Sequence, residues 1–295
     1  MNILVTGGTG FIGSSLCARL LEGKHHIVVL TRQPALVMEG IEVISNLSQM
    51  EPQLTLDVVI NLAGESIASK RWTKVQKQRI FDSRLEMTRK LIDFFKAAAN
   101  KPKFFISSSA IGYYGVSESN HQYDESALGD ESFSSRLCLQ WEAVASEAET
   151  IGIRTCVLRT GIVLGKGGGA LQKMLLPFKF GLGGRIGKGS QWMSWIHIDD
   201  LVGIILYCIE NHQLTGPVNG TAPTPVTNAA FTKTLGKVLK RPAIVPMPAI
   251  VIKIVMGKMG EELLLAGKKV LPTKITTAGY NFKFPHLEDA LLNSI

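Results

Sequence analysis

The chain of 295 residues is 45% hydrophobic and 19% charged, as in ordinary globular proteins of one or two domains. Its apolar runs are far shorter than the roughly 20 residues that cross a bilayer, so we expect no membrane partner, and the net charge of +8 favours anionic ligands in general. The four cysteines lie far apart without a CxxC pair and no basic leader precedes the first strand, which predicts a cytoplasmic protein with neither disulfides nor a metal site.

Strand-like and helical patterns alternate along the first half of the chain. The strand patterns are ILVT, HIVVLT, IEVI, VVINLAG, KFFISSS and RTCVLRTGIVLG, and the helical patterns are FIGSSLCARLLEG, a stretch from about Thr73 to Asn100, and SSRLCLQWEAVASEAETIG. Continuous apolar strands that alternate with amphipathic helices are typical of βαβ units. We therefore predict an α/β fold with a doubly wound parallel sheet of the Rossmann type.

The composition changes after about Gly165. Glycine-rich segments (GKGGGA and GLGGRIGKG), a proline-bearing loop and two further helical patterns at 227–240 and 247–266 follow. The pattern HIDDLVGI predicts a strand that enters a helix with an Asp cap. We predict a Rossmann domain at 1–165, to which later segments return, and a smaller C-terminal α/β lobe at 166–295 that encloses the substrate.

The first strand pattern runs directly into the glycine-rich segment TGGTGFIG. Gly7 permits a tight strand-to-helix turn, Gly10 lets the backbone approach a pyrophosphate, and Gly13 allows the helix to pack closely on the strand. The helix N-terminus then stabilises the negative charge. The segment predicts a dinucleotide site, and a glycine turn without a ligand is the alternative. Its predicted cofactor-binding residues are Gly7, Thr9, Gly10, Phe11, Ile12 and Gly13.

The end of the second strand indicates which dinucleotide is bound. Where a protein that binds NAD usually has Asp or Glu for the ribose hydroxyls, this chain has Thr31 and Arg32. A carboxylate would repel a 2′-phosphate, whereas Arg32 can hold it through a forked, charge-assisted contact and stack on the adenine. We predict that the cofactor is NADP. The alternative is a solvated arginine at a strand end.

Two later segments are also expected beside the cofactor or on the surface. Leu62, Ala63 and Gly64 follow a strand at the carboxyl edge of the sheet, where backbone approaches adenine and ribose. The basic stretch SKRWTKVQKQRIFDSRLEMTRK is mainly a solvated helix face. Because the chain has no recognition motif or basic tail, nucleic acid is not an expected partner.

Several motifs together resemble the extended short-chain dehydrogenase/reductase superfamily, especially its epimerase-like members. They are TGGTGFIG, VINLAG, ISSSA with a following YYG, RTGIVLG and WIHIDDLV, while QWEA and LLAGKKVLPTKITTAGYNFKFP are similar to an atypical epimerase-family branch of unknown substrate. The resemblance implies a Rossmann domain that binds NADP and a C-terminal lobe that encloses a small-molecule substrate. It also implies cofactor contacts for Arg79, Arg84, Ser107 and Val163.

Members of this superfamily usually combine a Ser or Thr with a YxxxK pair, in which the Tyr moves a hydroxyl proton and the Lys lowers its pKa. The motif ISSSA supplies Ser109, but the following helix contains neither Tyr nor Lys. Alignment on Glu142 puts Ser134 and Cys138 in their places. For Cys138 helix packing is the alternative to reactivity. The candidate catalytic residues are Ser109, Tyr113 and Tyr114, and a packed aromatic loop is the alternative for the two tyrosines.

Two functions follow from these residues. The first is an NADP-dependent oxidoreductase or epimerase of a small, sugar-like or nucleotide-linked substrate, in which Ser109 orients a hydroxyl or carbonyl and an unassigned group or water handles the proton. The second is an NADP-binding redox sensor or regulatory protein without turnover, which the missing Tyr–Lys pair permits. A homodimer is left open as the assembly.

Overall fold

The computed structural model describes residues 1–33, 37–51, 54–116 and 121–295. The strands are β1 Asn2–Thr6, β2 His26–Leu30, β3 Glu42–Ile44, β4 Val58–Asn61, β5 Phe104–Ala110, β6 Gln122–Tyr123, β7 Arg154–Thr160, β8 Ile162–Leu164, β9 Trp192–Met193, β10 Trp195–His197, β11 Gly216–Gly220, β12 Val226–Thr227 and β13 Lys269–Val270. The helices are α1 Phe11–Glu22, α2 Lys74–Ala97, α3 Phe133–Thr150, α4 Gly169–Lys179, α5 Ile198–Glu210, α6 Asn228–Leu239, α7 Ala249–Met256, α8 Lys258–Gly260, α9 Thr273–Thr277 and α10 Leu287–Ser294. Leu47–Gln49 and Ile111–Tyr114 form 3-10 turns, and Glu261–Leu265 forms a π-helical turn.

The central sheet has seven strands in the order β11-β7-β5-β4-β1-β2-β3. Every pair in it is parallel, and Thr6 at the end of β1 stands level with Leu30 of β2 and Asn61 of β4. The predicted doubly wound Rossmann-type sheet is therefore confirmed. The strand order reverses between β1 and β4, and in such sheets ligands bind outside the carboxyl ends of the strands at this switch point.

Helices cover both faces of the sheet. Successive strand residues point to opposite sides, and apolar side chains on both sides have to be buried. Ile3 and Val5 pack into the cluster under α1 and α5, whereas Leu4 packs into the cluster under α2 and α3. All three are fully buried. Burial on both faces explains why the strand patterns are continuous rather than alternating.

The second half of the chain contributes to the same body and adds a smaller group of elements. Strand β11 joins the sheet beside β7, and α5 packs with α1 in the same core cluster. Beyond the sheet, β8 pairs with β10, β9 with β12 and β6 with β13. The domain boundary at residue 165 stays a prediction, since α5 and β11 pack with the N-terminal strands.

Two predicted elements are interrupted at glycines. The strand pattern RTCVLRTGIVLG breaks at Gly161, where an added Cβ would lie 2.5 Å from the carbonyl oxygen of Ser194. The helical pattern at 247–266 ends at Met256, because Gly257 takes a φ of +59° and a π-helical turn follows. The prediction of each segment as one continuous element was therefore wrong.

The start of α5 also differs from its prediction. The cap is His197, whose Nδ1 accepts a hydrogen bond from the Asp199 amide at 3.1 Å, so the predicted Asp cap is wrong. Asp200 instead accepts the amides of Lys283 and Phe284 at 2.7 and 2.8 Å. The carboxylate therefore fixes the C-terminal segment to the start of α5.

Candidate functional site

The turn between β1 and α1 brings backbone atoms unusually close together. Gly7 has a φ of +70°, and an added Cβ there would lie 2.7 Å from both the carbonyl carbon and the oxygen of Leu62. At Gly13 an added Cβ would lie 2.2 Å from the carbonyl oxygen of Gly7. The tight turn and the close packing that the sequence predicts for these two glycines are therefore present, and both exclude any side chain.

Gly10 lies in a different environment, at the mouth of this turn. The residue is exposed, and an added Cβ would make one close contact, with the Gly7 carbonyl oxygen at 3.3 Å. Gly10 is the N-cap of α1, which has no side-chain cap and no acidic residue in its first turn. The first amides of a helix lack intrahelical partners and carry the positive end of its dipole. The turn therefore fits a phosphate group, with Thr9 exposed beside it.

The side chain of Phe11 covers one side of this turn. Added Cβ atoms at Gly168, Gly169 and Gly165 would lie 2.4, 2.9 and 3.0 Å from its ring. Ile12 packs against the core under α1. Both side chains are thus used for packing and are partly buried, and their cofactor contacts stay predictions. The ring of Phe11 also connects the start of α1 to the start of α4.

Thr31 and Arg32 lie at the same edge of the sheet, directly after β2. The Thr31 amide donates to the carbonyl oxygen of Ile44 at 2.9 Å, and its hydroxyl accepts from the Gln33 amide at 3.2 Å. Arg32 is exposed, and its guanidinium forms no hydrogen bond or ion pair with any residue in the described part of the chain. An uncommitted guanidinium at this edge is suited to a phosphate.

The segment after β4 borders the glycine turn on its other side. The amides of Leu62 and Ala63 donate to the carbonyl oxygen and the hydroxyl of Thr6, at 3.1 and 3.3 Å. An added Cβ at Gly64 would lie 3.1 Å from Cζ of Arg84. This segment is therefore held against β1 by its backbone, with the Arg84 guanidinium beside it.

The guanidinium of Arg84 is hydrogen-bonded within the protein. Its Nη1 donates to the carbonyl oxygens of Glu65 and Ile80 at 3.0 and 3.1 Å, and its Cζ lies 5.2 Å from the centre of the Trp141 ring. Desolvation by burial lowers the pKa of this guanidinium. Arg84 thus supports the backbone of the segment after β4, and its predicted phosphate contact stays a prediction.

The other cofactor residues implied by the family resemblance are spread around the same edge. Arg79 is exposed on α2, without a side-chain hydrogen bond or ion pair to the described residues. Ser107 is buried in β5 and accepts a hydrogen bond from Nδ2 of Asn61 at 3.4 Å. Val163 pairs with Ile196 where β8 meets β10. Cofactor contacts for these three residues stay predictions.

A buried ionic cluster lies at the carboxyl end of β5. Ser109 Oγ donates to Oε1 of Glu142 at 2.6 Å, and Glu142 accepts from Nε and Nη2 of Arg159 at 2.9 and 2.8 Å. Ser109 is 4% exposed and Arg159 only 3%. Although burial lowers the pKa of Arg159, the hydrogen bonds and the attraction of Glu142 raise it above its usual value. The cluster therefore holds a serine hydroxyl against a carboxylate that is fixed by a guanidinium.

The two tyrosines of the YYG motif pack against this cluster. Tyr114 Oη donates to Oδ1 of Asn219 at 2.7 Å and accepts from Nη1 of Arg159 at 3.0 Å, and burial raises the pKa of Tyr114 to about 12. The Tyr114 hydroxyl is thus hydrogen-bonded on both sides and the residue is only 1% exposed, which supports the packing alternative for Tyr114. The Tyr113 ring lies 3.4 Å from Cζ of Arg159, and its catalytic role stays a prediction.

Helix α3 contains neither tyrosine nor lysine, and a serine of its first turn is hydrogen-bonded to a glutamate from the C-terminal segment. Ser134 donates its hydroxyl and its amide to Oε2 of Glu262, at 2.8 and 3.1 Å. Cys138 is buried beside the carbonyl oxygen of Ala110, and this burial raises the pKa of its thiol to about 11. A thiol with so high a pKa is a poor nucleophile, which supports the packing alternative for Cys138.

A tyrosine and a lysine do meet, but away from α3. Lys268 is 3% exposed, and its Nζ donates to Tyr123 Oη at 2.9 Å. The Tyr123 ring lies 5.8 Å from the Tyr114 ring, so contacts connect this pair to Ser109 through Tyr114, Arg159 and Glu142. The pair therefore does not replace the missing Tyr–Lys pair beside Ser109.

Sequence reasoning missed Glu142, Arg159 and Glu262 as site residues. One signal was available for Arg159, which interrupts the apolar strand RTCVLRT, because a cation within a buried strand needs an anionic partner. Glu262 lies 128 residues from Ser134 in the chain, and no local pattern connects the two. The structure supplies that contact.

Comparisons with known proteins agree with this fold. The model of the NAD dependent epimerase/dehydratase family matches residues 3–219, and a domain of unknown function (DUF1731) matches residues 247–293. Epimerase family protein YfhF of Bacillus subtilis is 40% identical over 99% of this chain and 97% of its own length. The crystal structure of human epimerase family protein SDR39U1 with NADPH is 38% identical, with a TM-score of 0.90 over all of this chain and 99% of that one. A nucleoside-diphosphate sugar epimerase from Corynebacterium glutamicum is 27% identical, with a TM-score of 0.79 over all of this chain and 58% of that one.

Proposed function

This chain belongs to the NAD dependent epimerase/dehydratase family, and from that premise we propose that it is an NADP(H)-dependent oxidoreductase or epimerase of a small, sugar- or nucleotide-linked substrate. The observation that carries the proposal is the bare glycine turn at the start of α1, with Arg32 at the end of β2 beside it, whose guanidinium pairs with none of the residues that the structure describes. The human relative that was crystallised with NADPH supports the choice of cofactor.

The residues at the switch point would hold the cofactor in defined ways. The first amides of α1 bind the pyrophosphate at Gly10, and Arg32 pairs with the 2′-phosphate. The backbone at Leu62 and Ala63 borders the adenosine. When bound, NADP(H) supplies or accepts the hydride. No acidic side chain lies in the first turn of α1 to oppose this binding.

Ser109 and Glu142 form the proton path of the proposal. When a substrate hydroxyl is oxidised, its proton passes to Ser109 Oγ while the proton of Ser109 passes to Oε1 of Glu142, and reduction runs the same path backwards. Arg159 keeps Glu142 in place and balances its charge when it is ionised. In this proposal Ser109, which matches the serine of the superfamily, also takes over the proton transfer that the tyrosine performs in most of its members.

Two observations support the proposed substrate class, one from a relative and one from the net charge. The Corynebacterium glutamicum relative is described as a nucleoside-diphosphate sugar epimerase, which supports a nucleotide-linked sugar for this chain. The net charge of +8 is compatible with an anionic substrate.

The second candidate function is an NADP(H)-binding redox sensor or regulator without turnover. Two observations favour it, since α3 lacks both tyrosine and lysine and Ser109 is almost completely covered. Such a protein would bind NADP(H) through the same turn and signal through its surface. Turnover separates the two candidates, because only the first requires the Ser109 hydroxyl.

The Arg32→Glu variant should lose roughly 100-fold in affinity for NADPH while its affinity for NADH stays within about threefold of the wild type, because the new carboxylate repels only the 2′-phosphate. Calorimetric titration with both nucleotides measures this. Arg89→Glu is the matched control, since Arg89 is also exposed and lies on α2. An unchanged ratio of the two affinities would contradict the assignment of Arg32.

The Ser109→Ala variant should lower turnover at least about 100-fold with unchanged NADPH affinity, because it removes the group that moves the proton. NADPH fluorescence, followed across nucleotide-diphosphate sugars and small carbonyl compounds, measures the turnover. Ser108→Ala is the matched control, since neighbouring residues of β5 point to opposite faces of the sheet. Tight NADPH binding with no turnover of any compound by the wild type would favour the sensor.

A further inference from the structure

Helix α7 exposes an apolar face to solvent. Its sequence AIVIKIVM is apolar at every position except Lys253, yet only Ile252 is buried. Ile250, Ile254 and Val255 are 62%, 67% and 64% exposed. A helix that is apolar on nearly all sides is normally buried in a core or in lipid. The face of α7 that turns away from the protein is therefore more apolar than a water-exposed face requires.

The exposed apolar surface continues beyond α7. The segment before the helix runs beside residues 183–187, with the amides of Val245 and Met247 donating to the carbonyl oxygens of Gly183 and Arg185 at 3.1 and 2.9 Å. Further exposed apolar side chains lie in the segment before α7 and just before residue 183. We call the whole set the apolar face, and its residues are Phe180, Leu182, Ile244, Val245, Met247, Ile250, Val251, Ile254 and Val255.

Only positive charges accompany the apolar face. The stretches 150–198 and 211–260, which contain it, have no Asp or Glu. Several exposed cations of these stretches form no side-chain hydrogen bond or ion pair with the residues described here: Lys179, Arg185, Lys188, Lys240, Arg241 and Lys253. Because these stretches contain no carboxylate, the six cations just named are suited to an anionic partner.

A basic cleft lies at the edge of the apolar face. It has a volume of about 740 Å³. It is bordered by α6, by Arg185 and by the segment from Arg241 to Pro246, and Lys233 and Lys237 of α6 line it together with Lys240, which follows the helix. Of these cations Lys237 is paired, with Glu288 at 2.6 Å. The cleft is large enough for a phosphate-bearing headgroup.

We propose that the apolar face is a peripheral membrane-binding surface, which inserts its aliphatic side chains among the headgroups of a bilayer that contains anionic phospholipid while the surrounding lysines and arginines pair with lipid phosphates. Aliphatic residues on one side and lysine or arginine around them are typical of helices that lie in the membrane interface.

A second copy of the chain is a poorer occupant of this surface. A symmetric dimer would bring the same cations of both copies together without any carboxylate of the face between them. The sequence-based expectation of no membrane partner considered only segments that cross a bilayer. Within the described ranges, no helix is long and apolar enough to do so. A helix that lies along the bilayer surface does not need such a run.

Vesicle flotation tests the proposal. The full chain is mixed with vesicles of phosphatidylcholine alone or of phosphatidylcholine and phosphatidylglycerol in equal parts, at low and high salt. The wild type should float with the anionic vesicles only, and less so at high salt. The Ile250→Glu/Ile254→Glu and Lys240→Glu/Arg241→Glu variants should each lose at least roughly tenfold in partitioning.

Matched controls carry the same changes outside the face. Leu292→Glu changes an exposed apolar residue of α10, and Arg89→Glu/Lys90→Glu reverses two exposed cations of α2, so both should float like the wild type. NADPH binding by every variant shows that it folds. Failure of the wild type to bind anionic vesicles would overturn the proposal, as would equal binding by the face variants. A dimer in solution that Ile250→Glu/Ile254→Glu dissociates, without vesicle binding, would overturn it in favour of a second copy.

Discussion

The Gly10→Asp variant should bind NADPH roughly 100-fold more weakly than the wild type while its melting temperature stays equal or rises slightly. Gly10 has an extended backbone (φ −80°, ψ 174°) that any residue can adopt, and an added Cβ would make one close contact, with the Gly7 carbonyl oxygen at 3.3 Å, which a small shift relieves. Aspartate is a preferred N-cap, which stabilises α1. The same carboxylate would repel the pyrophosphate, and two charges about 4 Å apart near a protein surface interact by about 4 kcal/mol before solvent screening reduces this.

Two further variants make this result specific. Gly10→Asn has the same shape without the charge and caps the helix equally well, so it should lose much less affinity than Gly10→Asp. Gly13→Ala should instead destabilise the fold, because its Cβ would lie 2.2 Å from the carbonyl oxygen of Gly7. Calorimetric titration and thermal unfolding measure the two effects separately. Equal NADPH affinity in Gly10→Asp and the wild type would show that no phosphate lies at the start of α1.

The Glu142→Ala variant should lower the free energy of unfolding by about 3–5 kcal/mol, because it leaves the buried Arg159 guanidinium without its anion. Arg159 is 3% exposed, and the other acceptor of its Nη1 besides the Tyr114 hydroxyl is the carbonyl oxygen of Glu125. Neither of these neutral groups replaces a carboxylate. Urea unfolding followed by circular dichroism measures the change.

Glu147 provides the control on the same helix. Its carboxylate pairs with Lys96 at 3.2 Å, and both side chains are about half exposed, at 48% and 47%. Exposed pairs of this kind contribute at most about 1 kcal/mol, so Glu147→Ala should be nearly neutral. Glu142→Gln should lie between the two variants, since it keeps the hydrogen-bond acceptor and loses the charge. Similar losses for Glu142→Ala and Glu147→Ala would contradict a buried ion pair.

The parts of the fold that the sequence predicts correctly are those with local causes. Apolar runs separated by amphipathic segments are properties of neighbouring residues, and they predict the strands and helices of the Rossmann half. The roles of Gly7 and Gly13 were predictable for the same reason, because the turn they form lies within one short segment. Local patterns therefore located the cofactor edge of the sheet.

The parts that the sequence missed depend on contacts between distant segments. The Ser194 backbone lies against Gly161, directly after β7, and nothing near Gly161 in the chain indicates this contact. The ring of His197 replaced the expected Asp cap because Asp200 is used by the amides of Lys283 and Phe284. The partner of Ser109 was missed because Glu142 lies 33 residues later, on a helix where it could equally have been solvated.

The contact between Glu262 and the first turn of α3 makes that turn depend on the C-terminal segment. Besides the Ser132 cap, the amides of Phe133 and Ser134 donate to the Glu262 carboxylate, and the same segment donates the Val270 amide to the Ser194 hydroxyl at 2.9 Å. Exchange of this segment would leave the amide and the hydroxyl of Ser134 without the acceptor that they have here. The segment of unknown function therefore helps to hold the start of α3 in place.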